Sequence, residues 1–237
     1  KREVARLCRC LEHWKTFAEV LTTDAAHPPD LLEAALIYEE HLDDLPMAAE
    51  VLRRALQYDS TRVEAYSHLE KVYRALEDWN ALDRLFDGAS GFQEGDALRR
   101  TLWKQAALRR DNLDDIKGAE SSLQTLLKCF PNDEDAFEKL AASLSERDDY
   151  DALTTLYQHS IQDMSDELQR VHTIRWAQIL GVELKRPLDA VHRLEALSDS
   201  EHDSKVLELL VGLYRQLGQW VRCAQSLERL AATEISP

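Results

Sequence analysis

The chain is poor in the residues that interrupt helices: with 7 Gly and 6 Pro in 237 residues, it has little material for long loops. It is poor in cysteine as well. Cys8, Cys10, Cys129 and Cys223 form no CxxC pair and are too sparse for a disulfide framework in a chain this long, which leaves buried or incidental reduced thiols. No run approaches the roughly 18 apolar residues of a membrane span. No signal peptide of basic, apolar and small-residue segments opens the chain, so a cytoplasmic protein is expected. The first residue is Lys1 and not Met, which fits a removed leader or a piece cut from a longer array. Basic charge is the scarcer sign: 29 Lys and Arg face 44 Asp and Glu, for a formal net charge of -15. That balance argues against a general nucleic-acid or anionic-membrane surface, because phosphate binding depends on clustered Lys and Arg.

Catalytic and cofactor signatures are missing too. There is no GxGxxG, P-loop, HExxH or GxSxG. The eight histidines are scattered, and none pairs at i, i+4 with another His or with Cys in the way a metal site favours. No enzyme, no cofactor and no metal site is expected. The carboxylate pairs Asp43-Asp44, Asp114-Asp115 and Asp148-Asp149 fall in turns between helices, where Asp caps the next helix and meets its positive end.

What is present is a repeat. Hydrophobic residues make up 44% and charged residues 31% of the chain, the balance of a strongly helical protein. The segments 42–48, 113–119 and 184–190 align in steps of 71 residues, carrying Ala48, Ala119 and Ala190 in register. Leu52, Leu123 and Leu194 follow four residues on, and Ala55, Leu126 and Leu197 three residues beyond those, the spacing of one helical face. A second line of equivalent positions, Trp14, Trp79, Tyr150 and Trp220, opens a helix after a short polar turn each time. Interleaving the two lines halves the step to about 34–36 residues, enough for two helices and two turns. The spacing predicts helices over 2–12 and 14–25, 30–42 and 46–58, 62–76 and 79–90, 95–110 and 115–129, 133–147 and 150–162, 166–183 and 187–197, and 203–217 and 220–232. No strand is needed. Pairs of this kind leave apolar faces that only stacking on a neighbour covers, so one continuous array over 1–237, itself part of a longer one, is expected.

The residues resemble the tetratricopeptide repeat family. In 66–95, Tyr66, Leu69, Tyr73, Asp78-Trp79, Leu82, Phe86 and Ala89 fall on the family's spacing of large and small positions. The unit 133–162 follows with Phe137, Leu140, Leu144, Tyr150, Leu153 and Tyr157, and 203–232 with Leu207, Leu210, Tyr214, Gly218, Trp220 and Leu227. Glu70, Ala141 and Val211 stand where the family often has Gly, and some units look more like half-a-TPR repeats. The resemblance implies an all-α, right-handed superhelical solenoid of about seven antiparallel helix pairs. It also implies a concave groove lined by the first helix of each pair, on which peptides or partner helices dock.

Mapped by spacing, that groove receives Ser67, His68, Lys71, Arg74, Arg100, Trp103, Lys104 and Arg110, extended by Lys139 and Arg175. This basic, aromatic-bearing stripe in an acidic protein suits an acidic segment, with Trp103 as the apolar anchor; ordinary solvated faces with Trp103 in the core are the alternative. His68 and Lys104 occupy positions where the family's chaperone-tail clamp has Asn, so that ligand is not expected. A protein-interaction scaffold follows. RNA binding of the half-a-TPR kind, or self-association through terminal pairs whose apolar residues include Val221, Cys223, Ala224, Leu227 and Leu230, are the alternatives.

Overall fold

The structure, a computed structural model, describes residues 13–23, 27–58, 62–197 and 203–235. The first helix expected, over 2–12 with Cys8 and Cys10, lies outside them. Among the described residues there are thirteen α-helices and no strand. They are α1 (Trp14–Leu21), α2 (Pro28–Glu40), α3 (Leu45–Ala55), α4 (Arg62–Ala75), α5 (Trp79–Ala89), α6 (Gly95–Asp111), α7 (Ile116–Cys129), α8 (Glu134–Glu146), α9 (Tyr150–Ser160), α10 (Asp166–Val182), α11 (Pro187–Glu195), α12 (Ser204–Gln216) and α13 (Trp220–Ile235). The four aromatics Trp14, Trp79, Tyr150 and Trp220 are each the first residue of a helix, as expected. None of the helices is long and apolar enough to cross a membrane.

Even-numbered helices are the first members of the pairs (A helices), and the odd-numbered helices after them are the second (B helices). Each A helix ends in the same way. The residue after its last turn has a positive φ: Asp43 (51°), Glu77 (53°), Asp114 (53°), Asp148 (55°), Lys185 (50°) and Gly218 (67°). These positions are 34 and 37 residues apart in alternation, the last step being 33. At the first four of these ends the residue that follows caps the B helix. Asp44, Asp78, Asp115 and Asp149 accept hydrogen bonds from the N–H groups of Met47, Ala81, Gly118 and Ala152 at 2.8–3.2 Å. Capping, and not acid–base chemistry, is what the paired aspartates do, each cap stabilising its helix by about 1 kcal/mol.

Two kinds of turn alternate, which is the physical reason for the 71-residue step. After α2, α6 and α10 the N–H groups of Asp44, Asp115 and Arg186 reach back six residues to the carbonyls of Tyr38, Arg109 and Leu180, at 2.7–2.9 Å. After α4, α8 and α12 the N–H groups of Asp78, Asp149 and Gln219 reach back only five, to Tyr73, Leu144 and Tyr214, at 2.9–3.0 Å. The true sequence unit is therefore four helices, in three copies: α2–α5, α6–α9 and α10–α13.

Five of the six left-handed positions carry a side chain, at about 1–2 kcal/mol each for an L-residue. The exposed side chains of Glu77 and Lys185 make no hydrogen bond or ion pair among the described residues, so only the backbone reads a change there. Glu77→Gly and Lys185→Gly are each expected to raise unfolding free energy by about 0.5–1 kcal/mol once the extra chain entropy of glycine is subtracted. Urea unfolding of both variants measures this; a loss of stability would contradict the turn geometry.

The chain divides into two compact units, 1–122 and 123–237, with the boundary inside α7. In the first, Phe17, Leu31, Leu52, Leu69, Leu82 and Phe86 form the buried core. In the second, Phe137, Leu140, Leu153, Leu180 and Leu194 are fully buried. Ala48, Ala119 and Ala190 are buried as their register requires. A larger side chain at a buried position where helices cross overpacks the contact.

Candidate interaction faces

The expected basic stripe lies on the A helices of the first unit, α4 and α6, but much of its charge is already engaged. Glu70, largely buried on α4, accepts hydrogen bonds from Lys104 Nζ on α6 at 2.7 and 2.9 Å and from Arg74 Nη2 and Nε at 3.1 and 3.3 Å. It therefore ties the two A helices together where the family commonly has glycine. His68 Nδ1 lies 3.4 Å from Glu39 Oε2 on α2. Arg110 is exposed and pairs with its neighbour Asp111 at 2.8 Å. Trp103 is half-buried. Arg175 belongs to the second unit and holds Glu138 at 2.6 Å.

Lys71 and Arg100 differ from these. Both are exposed, and neither makes an ion pair or hydrogen bond among the described residues. Arg100 stands one helical turn before Lys104, and Lys71 directly follows Glu70. Of the expected stripe, these two cations are the ones available to an outside carboxylate.

One arginine that the spacing did not single out organises the first unit. Arg109, one residue before Arg110, turns inward and is mostly buried. Its Nε and Nη2 donate to the two carboxylate oxygens of Asp83 at 2.6 and 3.0 Å, and Nη2 also reaches Asp87 at 2.9 Å. Nη1 donates to Ser122 Oγ at 3.0 Å and to the Gly118 carbonyl at 3.4 Å. Gln105 joins the cluster by donating to Asp87 at 2.6 Å and Asp83 at 3.2 Å. A Cβ at Gly118 would collide with the capping carboxylate of Asp115 and stand 3.1 Å from Arg109 Cδ, so the glycine makes room for the cap first and for the guanidinium stem second. Through these bonds the cluster joins α5, α6 and α7.

The second unit holds the opposite case. His172 on α10 is fully buried, and neither ring nitrogen has a hydrogen-bond partner among the described residues. Its ring centroid lies 4.2 Å from that of Phe137 and 6.3 Å from that of Tyr157. Tyr157 in turn stacks on Trp176 at 6.1 Å, and the Arg193 guanidinium lies over the Trp176 ring, 4.2 Å from its centroid. Burial pushes the His172 titration below its ordinary range, helped by Arg175 and opposed by Glu134 and Glu138.

Two of the aromatics that open B helices reach the end of the next A helix. Trp14 stacks on His41 at 3.8 Å between ring centroids, and Tyr150 Oη donates to Glu183 at 3.5 Å. Of the apolar residues expected at the surface of the last pair, Val221 is 74% exposed and Leu227 is exposed, whereas Cys223 is buried in the core; Trp220, at the start of the same helix, is 69% exposed.

No protein-family model and no curated protein sequence matches the chain. Among solved structures, it is similar to the Naa15/Naa10 complex bound to HypK-THB at 15% identity, with a TM-score of 0.47 over 96% of this chain and 36% of that one. It thus spans about a third of that protein's length. A tetratricopeptide repeat protein from Parabacteroides merdae gives 14% identity and a TM-score of 0.38, over 99% of this chain and 92% of that one. YrrB, described as a TPR protein with an unusual peptide-binding site, gives 15% identity and 0.37, over 86% and 97%. On its own helix pairs, turns and register, the chain has a tetratricopeptide-like helical repeat fold.

Proposed function

We propose that the chain is a non-enzymatic scaffold that binds a protein partner through the A-helix face of its first unit, where α4 and α6 present Lys71 and Arg100 to an acidic segment. The observation carrying this is that these two cations are exposed and have no acidic partner among the described residues, in a protein where most of the neighbouring stripe is neutralised internally. Side chains fixed in internal pairs give up stability when redirected to a ligand; unpaired ones do not. Half-buried Trp103, on the same helix as Arg100, supplies apolar surface beside them.

Lys71→Glu with Arg100→Glu is the informative change, because it reverses charge without breaking an internal pair. Lys104→Glu would instead set a carboxylate against Glu70 and disturb the fold. In nuclease-treated extract, the double variant is expected to lose at least about tenfold of partner capture with an unchanged melting temperature. Equal capture by both forms would remove this face as the site. Capture that depends on nucleic acid and falls steeply with salt would favour the RNA-binding alternative.

A further inference from the structure

Between α3 and α5, floored by α4, the first unit contains a cavity of about 790 Å³. Leu56, Leu69 and Leu85 make its floor, Tyr73 stands in its wall, and Arg53 and Arg84 flank it from the two B helices. The same groove recurs 71 residues on. Between α7 and α9, Gln124, Leu127, Thr155 and Leu156 line a cavity of about 370 Å³ at the positions equivalent to Arg53, Leu56, Arg84 and Leu85. A third, of about 530 Å³, lies between α11 and α13 and includes Leu188, Val191 and Trp220. The four-helix repeat builds the groove each time, and the lining changes.

That comparison separates structural from functional charge. With Gln124 and Thr155 in the equivalent places the groove still forms, so the fold does not need guanidinium groups there. Nor are the arginines used internally to any extent. Arg84 makes no ion pair or hydrogen bond among the described residues, and Arg53 pairs only with exposed Glu50 one turn away on its own helix, a surface pair of little value. The Tyr73 hydroxyl also has no partner among the described residues, and burial keeps the phenol protonated, with Arg53 and Arg84 pulling the other way. Asp78 is the acidic group in the lining, and it is engaged in capping α5.

We propose that the α3–α5 groove is a second docking site, for a partner peptide that places a large aliphatic or aromatic side chain on Leu56 and Leu85, above fully buried Leu69, and flanking carboxylates on Arg53 and Arg84. The size suits a few side chains, since small-ligand pockets run to roughly 300–1,000 Å³. Charge-assisted pairing of carboxylate with guanidinium sets which peptide is taken. The site is independent of the A-helix face: its residues lie on B helices and on the opposite edge of α4.

The probe is the peptide acetyl-Glu-Leu-Phe-Glu-amide, titrated into the isotopically labelled full chain and followed by amide and arginine side-chain NMR signals. Shifts at Tyr73, Leu69, Arg53 and Arg84 are expected, together with at least about tenfold weaker binding of the acetyl-Gln-Leu-Phe-Gln-amide analogue. Arg53→Gln with Arg84→Thr, which writes the second groove's chemistry into the first, should fold normally and lose binding by a similar factor. Adding arginines at Gln124 and Thr155 should create binding in the second groove. Lys71→Glu with Arg100→Glu should leave these shifts in place. Four results overturn the proposal: no shifts in the groove, shifts confined to α6 around Arg100, undiminished binding by the Arg53→Gln/Arg84→Thr variant, or failure of that variant to fold. The first three leave the A-helix reading standing, so the two sites fail separately.

Discussion

Arg109→Met is expected to lower the unfolding free energy of the chain by about 2–3 kcal/mol, the largest loss from any single charged residue of the first unit. Asp83 is 19% exposed in its side chain and Arg109 15%, so deletion of the guanidinium leaves a mostly buried carboxylate with two lost charge-assisted bonds. Ser122, whose hydroxyl donates in turn to Gln105 Oε1, loses its donor at the same time. The cost stays below that of a fully buried pair because Asp87, 57% exposed, remains solvated. Urea unfolding followed by far-ultraviolet circular dichroism measures the loss. If Asp83→Leu is added, part of the stability should return, because the unpaired charge has gone and apolar surface replaces it. A melting point for Arg109→Met within a degree or two of the parent would show that the cluster is a surface decoration and not the tie between α5, α6 and α7.

The contrast between Arg109 and Arg110 shows how far the residues alone can be read. Helix positions follow from periodicity, and the lines through Trp14, Trp79, Tyr150 and Trp220, and through Ala48, Ala119 and Ala190, locate the helices without any coordinates. Which side of a helix meets a neighbour is a finer question, since one residue turns the side chain by about 100°. Spacing singled out Arg110, which in the structure is exposed and pairs with Asp111, but gave no sign that its neighbour Arg109 carries the buried network. Glu70 was legible as a departure from the glycine common in the family, but its role as the tie to Lys104 depends on a residue 34 positions away. The left-handed turn residues were hidden for a different reason. Glycine marks such positions in most sequences, and here Asp43, Glu77, Asp114, Asp148 and Lys185 occupy them. The recurring B-helix groove likewise depends on how α3 and α5, and α7 and α9, are placed in space, although the 71-residue register that relates them is written in the sequence.

Acidification should weaken the second unit through His172, and the sign follows from its surroundings. The groups acting on the imidazole are Arg175 on α10, Glu134 and Glu138 on α8, and the ring of Tyr157 on α9. Burial against Phe137 and the nearby Arg175 disfavour the imidazolium more than the two glutamates favour it, so the folded titration lies below the ordinary value of 6.5. In the unfolded chain the same histidine takes up its proton near pH 6.5. Below that pH the unfolded state binds more protons than the folded one, and stability falls with pH until the folded histidine also protonates. Above about pH 7 both states are neutral and this group contributes no slope. The loss attributable to His172 is at most about 1.4 kcal/mol per pH unit inside that window. His172→Phe keeps an aromatic ring against Phe137 and Tyr157 and removes both unpartnered nitrogens. It should therefore match or exceed the parent's stability at pH 7.5 and gain on it steadily down to pH 5.5. Urea midpoints for the two proteins across that range decide the matter, with the His172 ring signals in NMR as a direct check. Parallel midpoints would mean that the buried imidazole finds a partner for its proton, and that the unpaired nitrogens place no constraint on the fold.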